Sequence, residues 1–66
     1  MIIVVNGEKR ELESKASVSD LLRSLGLQDQ RVAVMVNGDI VRRSEHDAHR
    51  LEPSDAVDIV HMVGGG

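Results

Sequence analysis

Two Asn-Gly dipeptides, each placed directly after a run of aliphatic residues, most limit the folds open to this chain. Asn6-Gly7 follows the run Ile2–Val5, and Asn37-Gly38 follows a second run that ends at Val36. Asn-Gly is the strongest short-range signal for a two-residue type I′ turn, because both of its residues tolerate a positive φ. The sequence therefore predicts two β-hairpins. We attribute the similarity of the two turns to shared turn chemistry and not to internal duplication, since the helix signal between them occurs once.

The strands that flank these turns differ in character. Residues 8–13 alternate Lys9, Glu11 and Glu13 with Arg10 and Leu12, a pattern typical of an exposed edge strand whose charges discourage pairing with other chains. The second aliphatic run begins at residue 31 or 32, and the return from its turn, residues 40–41, predicts only a brief strand.

A short helix is predicted after the first hairpin. The Ser17 hydroxyl can cap free backbone N–H groups while Asp20 reaches back in a capping box, with Ser19 as a competing cap. Gly26 provides a left-handed stop, and Leu27 can fold back as the hydrophobic contact of a Schellman motif. The apolar residues of this segment recur at i, i+3, i+4 and i+7 and so share one face: Val18, Leu21, Leu22 and Leu25.

The rest of the chain predicts a loop, a turn and a long strand. Residues 42–50 are polar and are expected to form a loop with a helical turn. Pro53-Ser54-Asp55 predicts a turn with proline at its second position, and residues 56–63 form the final strand. This order of elements predicts an α+β fold of the β-grasp type, a mixed sheet of four to five strands packed on one helix. We expect a domain over residues 1–63 and a flexible glycine tail over residues 64–66.

The composition argues against several functional classes. Sixty-six residues leave room for one domain but not for a deep substrate cavity, so we do not expect an enzyme. A net charge of −3 without a long run of like charge, and the absence of aromatic residues that stack on bases, argue against nucleic-acid binding. The chain has no cysteine, which excludes disulfides and a thiol nucleophile. The longest apolar run, residues 1–5, is too short for a membrane span, and we expect a soluble cytoplasmic protein.

The chain ends in Gly64-Gly65-Gly66 directly after the apolar final strand. Glycine has no β-carbon and adopts almost any φ and ψ, so such an ending forms a slender stalk with a carboxylate at its tip. This stalk can be threaded into the active site of another protein. The alternative interpretation is an ordinary disordered chain end.

Several motifs together carry a resemblance to a known family. They are the helix start Val18-Ser19-Asp20-Leu21-Leu22, the phrase Asn37-Gly38-Asp39-Ile40-Val41, the turn Ser54-Asp55, and the ending His61-Met62-Val63 followed by three glycines. On these motifs the whole chain resembles the ThiS-type sulfur carriers of bacterial thiamine biosynthesis, which are ubiquitin-like β-grasp proteins of the ThiS/MoaD superfamily. Family members commonly end in two glycines, so the third glycine departs from the minimal pattern.

The resemblance implies a carrier that is a co-substrate of partner enzymes and binds no cofactor of its own. An E1-like adenylating enzyme of the ThiF type would use ATP to activate the Gly66 carboxylate, and Gly65 and Gly66 would be the least replaceable residues. Persulfide sulfur from a cysteine desulfurase would then produce a thiocarboxylate, and a thiazole synthase of the ThiG type would accept the sulfur. Gly64 is assigned either to partner binding or to a spacer role.

The aliphatic strands predict a partner-binding surface, because strands of a sheet that is covered on one face should alternate apolar and polar residues. One set of side chains is expected to face the helix: Ile3, Val5, Val34, Val36, Val57 and Ile59. The other set then gathers on the open side of the sheet beside the tail: Ile2, Val4, Met35, Val60 and Met62. The competing interpretation is that central strands are simply rich in β-branched residues by propensity.

The histidines and acidic residues give weaker signals. His46 and His49 have i, i+3 spacing but no third ligand, so we predict no metal site and expect both to be solvated loop residues. His61 either assists docking or is the polar residue of an alternating strand. Asp58 is expected to meet a basic groove on the adenylating enzyme and to affect the association rate more than the affinity.

Three other functions fit the same pattern. A molybdopterin synthase small subunit, or a carrier for tRNA thiolation or protein conjugation, would share the fold and the tail chemistry. A β-grasp interaction module would instead bind through its sheet and make no use of the glycines.

Overall fold

The computed structural model describes residues 1–62. It contains five strands, one α-helix and a short 3₁₀ helix at Arg43–Glu45. In chain order the main elements are β1 (Ile2–Val5), β2 (Glu8–Glu11), α1 (Val18–Ser24), β3 (Val32–Val36), β4 (Asp39–Val41) and β5 (Ala56–His61). The predicted elements and their order are confirmed, including the helical turn in the loop of residues 42–50.

The five strands form one mixed sheet in the order β2-β1-β5-β3-β4. β5 lies at the centre, parallel to β1 and antiparallel to β3, while the two hairpins supply the outer strands. A mixed five-stranded sheet packed on a single helix is the predicted β-grasp arrangement, which is confirmed. β2 is fully exposed at one edge, as its charges predicted.

Both Asn-Gly turns have the backbone that the sequence predicts. The φ angles are 49° at Asn6 and 84° at Gly7, and 52° at Asn37 and 88° at Gly38. Two consecutive residues with positive φ define the type I′ turn, whose twist matches that of the strands it joins. β2 ends two residues earlier than predicted, at Glu11, and the half-buried Leu12 that follows it packs against the core.

The helix is capped at its first turn by its own side chains and by the loop of residues 42–50. The Ser17 hydroxyl accepts the Asp20 N–H at 3.0 Å, and the Asp20 carboxylate accepts the Ser17 N–H at 2.9 Å, so the capping box is confirmed. The next two free N–H groups, of Val18 and Ser19, donate to the carbonyls of His49 and His46 at 3.0 and 3.1 Å. All four N–H groups that a helix leaves free at its start therefore have partners.

The other end of the helix is a Schellman motif. Gly26 has a φ of +73°, the Leu27 N–H donates to the Leu22 carbonyl at 2.8 Å, and the Gly26 N–H donates to the Arg23 carbonyl at 3.1 Å. Leu25 and Leu27 pack partly buried against the core. The predicted stop and its hydrophobic contact are confirmed.

The core lies between the helix and one face of the sheet. Every residue predicted to face the helix from the sheet is buried, together with Val18, Leu21 and Leu22 of the helix and Val41 and Leu51 beyond it. The apolar side chains of this core are all aliphatic, since the chain has no phenylalanine, tyrosine or tryptophan.

The prediction that His46 and His49 are solvated is wrong. His46 is 7% exposed, and its Nε2 lies 3.2 Å from the Val41 carbonyl oxygen. His49 is half-buried. His46 is buried because of a tertiary contact. The loop of residues 42–50 packs across the start of the helix and caps it, and this packing buries the His46 ring.

Candidate functional site

The end of β5 is hydrogen-bonded mainly to one neighbouring strand, β3. β1 stops at Val5, opposite Val57, so β5 continues past it. On the other side β3 pairs with β5 up to His61, and the Met62 N–H donates to the Arg31 carbonyl at 3.0 Å. The central strand β5 thus extends past the end of β1 and the first hairpin turn. Val63 and the predicted functional glycines Gly64, Gly65 and Gly66 lie outside the described residues, as does the predicted domain boundary.

The two turn asparagines anchor the central strand, a role that the sequence analysis missed. The Asn6 carboxamide accepts the Ile59 N–H at 2.8 Å and donates to the Ile59 carbonyl at 3.3 Å. The Asn37 carboxamide accepts the Ala56 N–H at 2.9 Å and donates to the Asp55 carboxylate at 3.0 Å. The Asn6 carboxamide therefore replaces a strand residue beside β5, while the Asn37 carboxamide joins the start of β5 to the residue before it. The Asn-Gly signal indicated only the turns, because it contains no information on the strand that packs beside them.

The five residues of the predicted partner surface lie away from the helix. Ile2 and Val4 alternate with buried residues along β1, as Met35 does along β3 and Val60 along β5. Ile2, Val60 and Met62 are 47, 55 and 63% exposed, whereas Val4 and Met35 are half-buried. We call this surface, with the residues added below, the open face. Whether it binds a partner stays a prediction.

The open face extends further than the sequence analysis assigned. Ile40 on β4 is 73% exposed and lies directly opposite Met35, while Ala33 lies opposite Val60. A signal for Ile40 was present, because a two-residue hairpin at Asn37-Gly38 fixes the register and places residue 40 across from residue 35.

One charge lies within this apolar surface. Asp58 on β5 is exposed, is directly opposite Met35, and has Ala56 and Val60 as its neighbours on the same face of the strand. The other charged strand residues on this side of the sheet, Lys9 and Glu11, lie on the edge strand β2. The salt bridges within residues 1–62 join Asp20 to Arg23 and Arg50, and none involves Asp58.

Two clefts formed by the described residues lie away from the open face. A groove of about 240 Å³ on the helix side of the sheet is lined by residues that include Leu25, Leu27, Arg10 and His61. A wider cleft, of about 760 Å³, lies beside residues 11–16, near the start of β1. In the part of the chain that the structure describes, no group of three or more histidine, aspartate or glutamate side chains is placed to hold a metal ion. No helix within residues 1–62 is long and apolar enough to cross a membrane.

The fold and the open face define a small ubiquitin-like β-grasp domain. The chain belongs to the ThiS family, whose model matches residues 3–66. It is 31% identical to the sulfur carrier protein ThiS of Thermus thermophilus over 98% of this chain and 100% of that protein. A crystal structure of a thiamine biosynthesis protein (ThiS) from Geobacter metallireducens superposes with a TM-score of 0.86, at 32% identity and with both chains fully covered.

Some relatives are much longer. The chain is 36% identical over its full length to a thiazole synthase of Magnetococcus marinus, but it spans only 20% of the length of that enzyme. The same holds for a thiazole synthase of Paramagnetospirillum magneticum. Each synthase therefore contains a segment similar to this whole chain.

Proposed function

We propose that this protein is a sulfur carrier of thiamine biosynthesis that acts as a co-substrate and catalyses nothing by itself. The observation that carries the proposal is the end-to-end match to the sulfur carrier protein ThiS of Thermus thermophilus, with no large segment of either chain left over. The size of the domain agrees with this role, because the carrier has only to be recognised and to present its terminus.

The chemistry of the proposed carrier resides in the carboxyl group of Gly66. A terminal carboxylate, with an ordinary pKa of about 3.3 to 3.7, is ionised at neutral pH and is a poor electrophile. An E1-like adenylating enzyme of the ThiF type therefore activates it: the carboxylate attacks the α-phosphate of ATP, pyrophosphate leaves, and an acyl-adenylate forms. A persulfide from a cysteine desulfurase relay displaces AMP. A second thiol cleaves the resulting acyl disulfide, is itself oxidised to a disulfide, and releases the thiocarboxylate.

Residues 64–66 are glycines, which have no β-carbon to widen the chain. The carboxylate and the α-phosphorus must come within near-attack distance inside the partner, and a β-carbon on either of the last two residues would widen the chain at that point. Gly65 and Gly66 are therefore the least replaceable residues, while Gly64 acts as a spacer or as a partner contact.

Thiazole synthase is the acceptor in this proposal. The support is that two thiazole synthases each contain a segment similar to this chain, so that a carrier-like domain and a synthase occur in one polypeptide. The open face, which includes Ile2, Val4, Met35, Val60 and Met62, is the proposed docking surface, because it adjoins the end of β5 from which the tail continues.

Reconstitution with purified partners tests the proposed function. The protein, ATP, a sulfur source, the adenylating enzyme and thiazole synthase should together form the thiazole product, and deletion of Gly65 and Gly66 should abolish it while the circular dichroism spectrum stays unchanged. Thiazole formation by the deletion variant would contradict the proposal. Sulfur transfer to a pterin precursor but not to thiazole would assign the protein to molybdopterin synthesis instead.

A further inference from the structure

The two Asn-Gly turns are alike in sequence and in backbone but differ in what their asparagine side chains contact. The tetrapeptides Val-Asn-Gly-Glu (residues 5–8) and Val-Asn-Gly-Asp (residues 36–39) differ only in the length of the last side chain. The φ angles of the two turns are nearly equal. A difference in chemical reactivity between Asn6 and Asn37 must therefore come from their surroundings in the fold.

An asparagine that is followed by glycine can lose its side-chain amide without any enzyme. The backbone nitrogen of the glycine attacks Cγ of the asparagine and forms a C–N bond, and the carboxamide nitrogen leaves as ammonia with the proton of the glycine N–H. Water then opens the cyclic imide at one of its two carbonyls, which produces aspartate or isoaspartate. Glycine favours the attack because it has no β-carbon to shield its nitrogen.

The attacking nitrogen is equally available in the two turns. Within residues 1–62, neither the Gly7 N–H nor the Gly38 N–H donates to a backbone carbonyl. A β-carbon built on either glycine would have no atom within 4 Å, so open space lies beside both. The two turns therefore differ in how firmly the carboxamide under attack is held.

The Asn6 carboxamide is held by the backbone of a buried residue. It accepts the Ile59 N–H at 2.8 Å and donates to the Ile59 carbonyl at 3.3 Å, and Ile59 is 7% exposed. Attack on Cγ requires the carboxamide to rotate away from β5. This rotation would leave a donor and an acceptor of Ile59 without protein partners, which is costly.

The Asn37 carboxamide has partners that water can reach. It accepts the N–H of exposed Ala56 at 2.9 Å and donates to the Asp55 carboxylate at 3.0 Å, and both hydrogen bonds lie at the surface. Water can replace the carboxamide at each of these partners, so its rotation costs less than that of Asn6.

We propose that Asn37 is a site of spontaneous deamidation in the folded protein, and that Asn6 is protected from the same reaction by its hydrogen bonds to Ile59. The inference goes beyond the carrier function and does not depend on it. Deamidation puts a carboxylate where the Asn37 amide now donates to Asp55, so two like charges meet at the start of β5. Isoaspartate also adds a backbone carbon to a two-residue turn, and the length of this turn fixes the register of β3 and β4.

Peptide mapping by mass spectrometry after incubation at mildly alkaline pH tests the proposal. In the folded protein we expect Asn37 to be converted at least about tenfold faster than Asn6. The same incubation in concentrated urea is the control, and there the two sites should react at similar rates because their neighbours in the sequence are nearly identical. Equal rates in the folded protein, or a faster reaction at Asn6, would overturn the proposal. So would a lack of reaction at Asn37 while the urea sample is converted, or a preference for Asn37 that persists in urea.

A second variant series tests the role of the surface hydrogen bond. Asp55→Ala removes one partner of the Asn37 carboxamide and should accelerate the reaction at Asn37 more than at Asn6. The matched control is Asp58→Ala, which removes an exposed carboxylate of β5 that makes no salt bridge within residues 1–62 and should leave both rates unchanged. Equal acceleration by the two variants would contradict the assignment of Asp55.

The consequence for the fold is measured on a variant that mimics the product. Asn37→Asp should be less stable to urea than the wild type at neutral pH, because its new carboxylate faces that of Asp55. The combination of Asn37→Asp with Asp55→Asn should recover part of this loss, since the amide and the carboxylate then exchange places. A double variant that is no more stable than Asn37→Asp would show that contact between like charges is not the cause.

Discussion

At Gly26 the chain leaves the helix with a φ of +73°, a conformation that side chains with a β-carbon rarely adopt. A β-carbon built at this position would have no atom within 4 Å, so a substitution is penalised by the backbone alone and not by packing. We expect Gly26→Ala to lower the free energy of unfolding by about 1 kcal/mol, measured by urea denaturation. Gly26→Asn is the control and should lose less, because asparagine tolerates this region. Equal stability of the alanine variant and the wild type would contradict this account.

Asp20 makes part of the stability of the helix dependent on pH. The backbone N–H of Ser17, followed by its hydroxyl and by Arg23, lowers the pKa of Asp20 below the ordinary value of 3.8. A carboxyl group whose pKa is lower in the folded state stabilises that state when it is ionised. The contribution of Asp20 is therefore complete above the unfolded pKa and is lost as the pH falls through the folded one.

Comparison of the wild type with Asp20→Asn measures this contribution. We expect the wild type to be more stable at neutral pH and the difference to shrink when urea titrations are repeated at a pH below the lowered pKa of the folded state, where the carboxyl group is protonated in both states. Glu45→Gln, which changes an exposed carboxylate of the loop, serves as the control. A difference between wild type and Asp20→Asn that is the same at both pH values would show that the charge is irrelevant.

At the scale of the elements, the two hairpins are connected to the central strand by side chains as well as by backbone ladders. Asn6 and Asn37 each make two hydrogen bonds to the segment 55–59. We expect Asn6→Gly and Asn37→Gly each to lower the free energy of unfolding by about 1 to 2 kcal/mol, since glycine keeps the positive φ but loses the carboxamide.

Hydrogen exchange locates this effect within the sheet. The amide of Ile59 should lose protection in Asn6→Gly, and the amide of Ala56 should lose protection in Asn37→Gly, because each carboxamide accepts one of these N–H groups. Protection unchanged at both amides would mean that the asparagines serve the turns alone.

Signals that act over a few residues made the elements predictable. Local structure is determined by three short signals: the Asn-Gly turns, the capping box at Ser17 and the glycine at residue 26. The alternation of apolar and polar side chains along the strands then predicts which residues lie on each face of the sheet. The burial of His46 had no such signal. It depends on the packing of the loop of residues 42–50 over a helix more than twenty residues earlier in the sequence. The pairing of each asparagine with β5 likewise depends on strand order, which no local pattern contains.

At the scale of the whole molecule, the open face and the end of β5 form one continuous region. The five residues predicted for it were placed on the correct side by alternation alone, whereas Ile40 required the register of the second hairpin. Asp58 was predicted as a partner contact, and its position opposite Met35 became visible only when β3 and β5 were paired.

The double substitution Val4→Asp with Met35→Asp tests the open face. Two further charges on this surface should impair adenylation by an order of magnitude or more, because a docked partner would have to desolvate them. Both residues are half-buried, so circular dichroism and thermal melting must show that the variant folds. Ile40→Asp, at a side chain that is 73% exposed, repeats the test with less risk to the fold. If the folded variants are adenylated at the wild-type rate, the open face is not a docking surface for the adenylating enzyme.

The proposed site of the sulfur is Gly66, and the intact mass of the protein tests this proposal. After incubation with ATP, a sulfur source and the adenylating enzyme, the protein should end at Gly66 with one carboxyl oxygen replaced by sulfur, and fragmentation should place the change on the last residue. Addition of thiazole synthase and its substrates should restore the original mass. An unchanged mass under conditions in which the thiazole product forms, or a mass change located away from Gly66, would contradict the account.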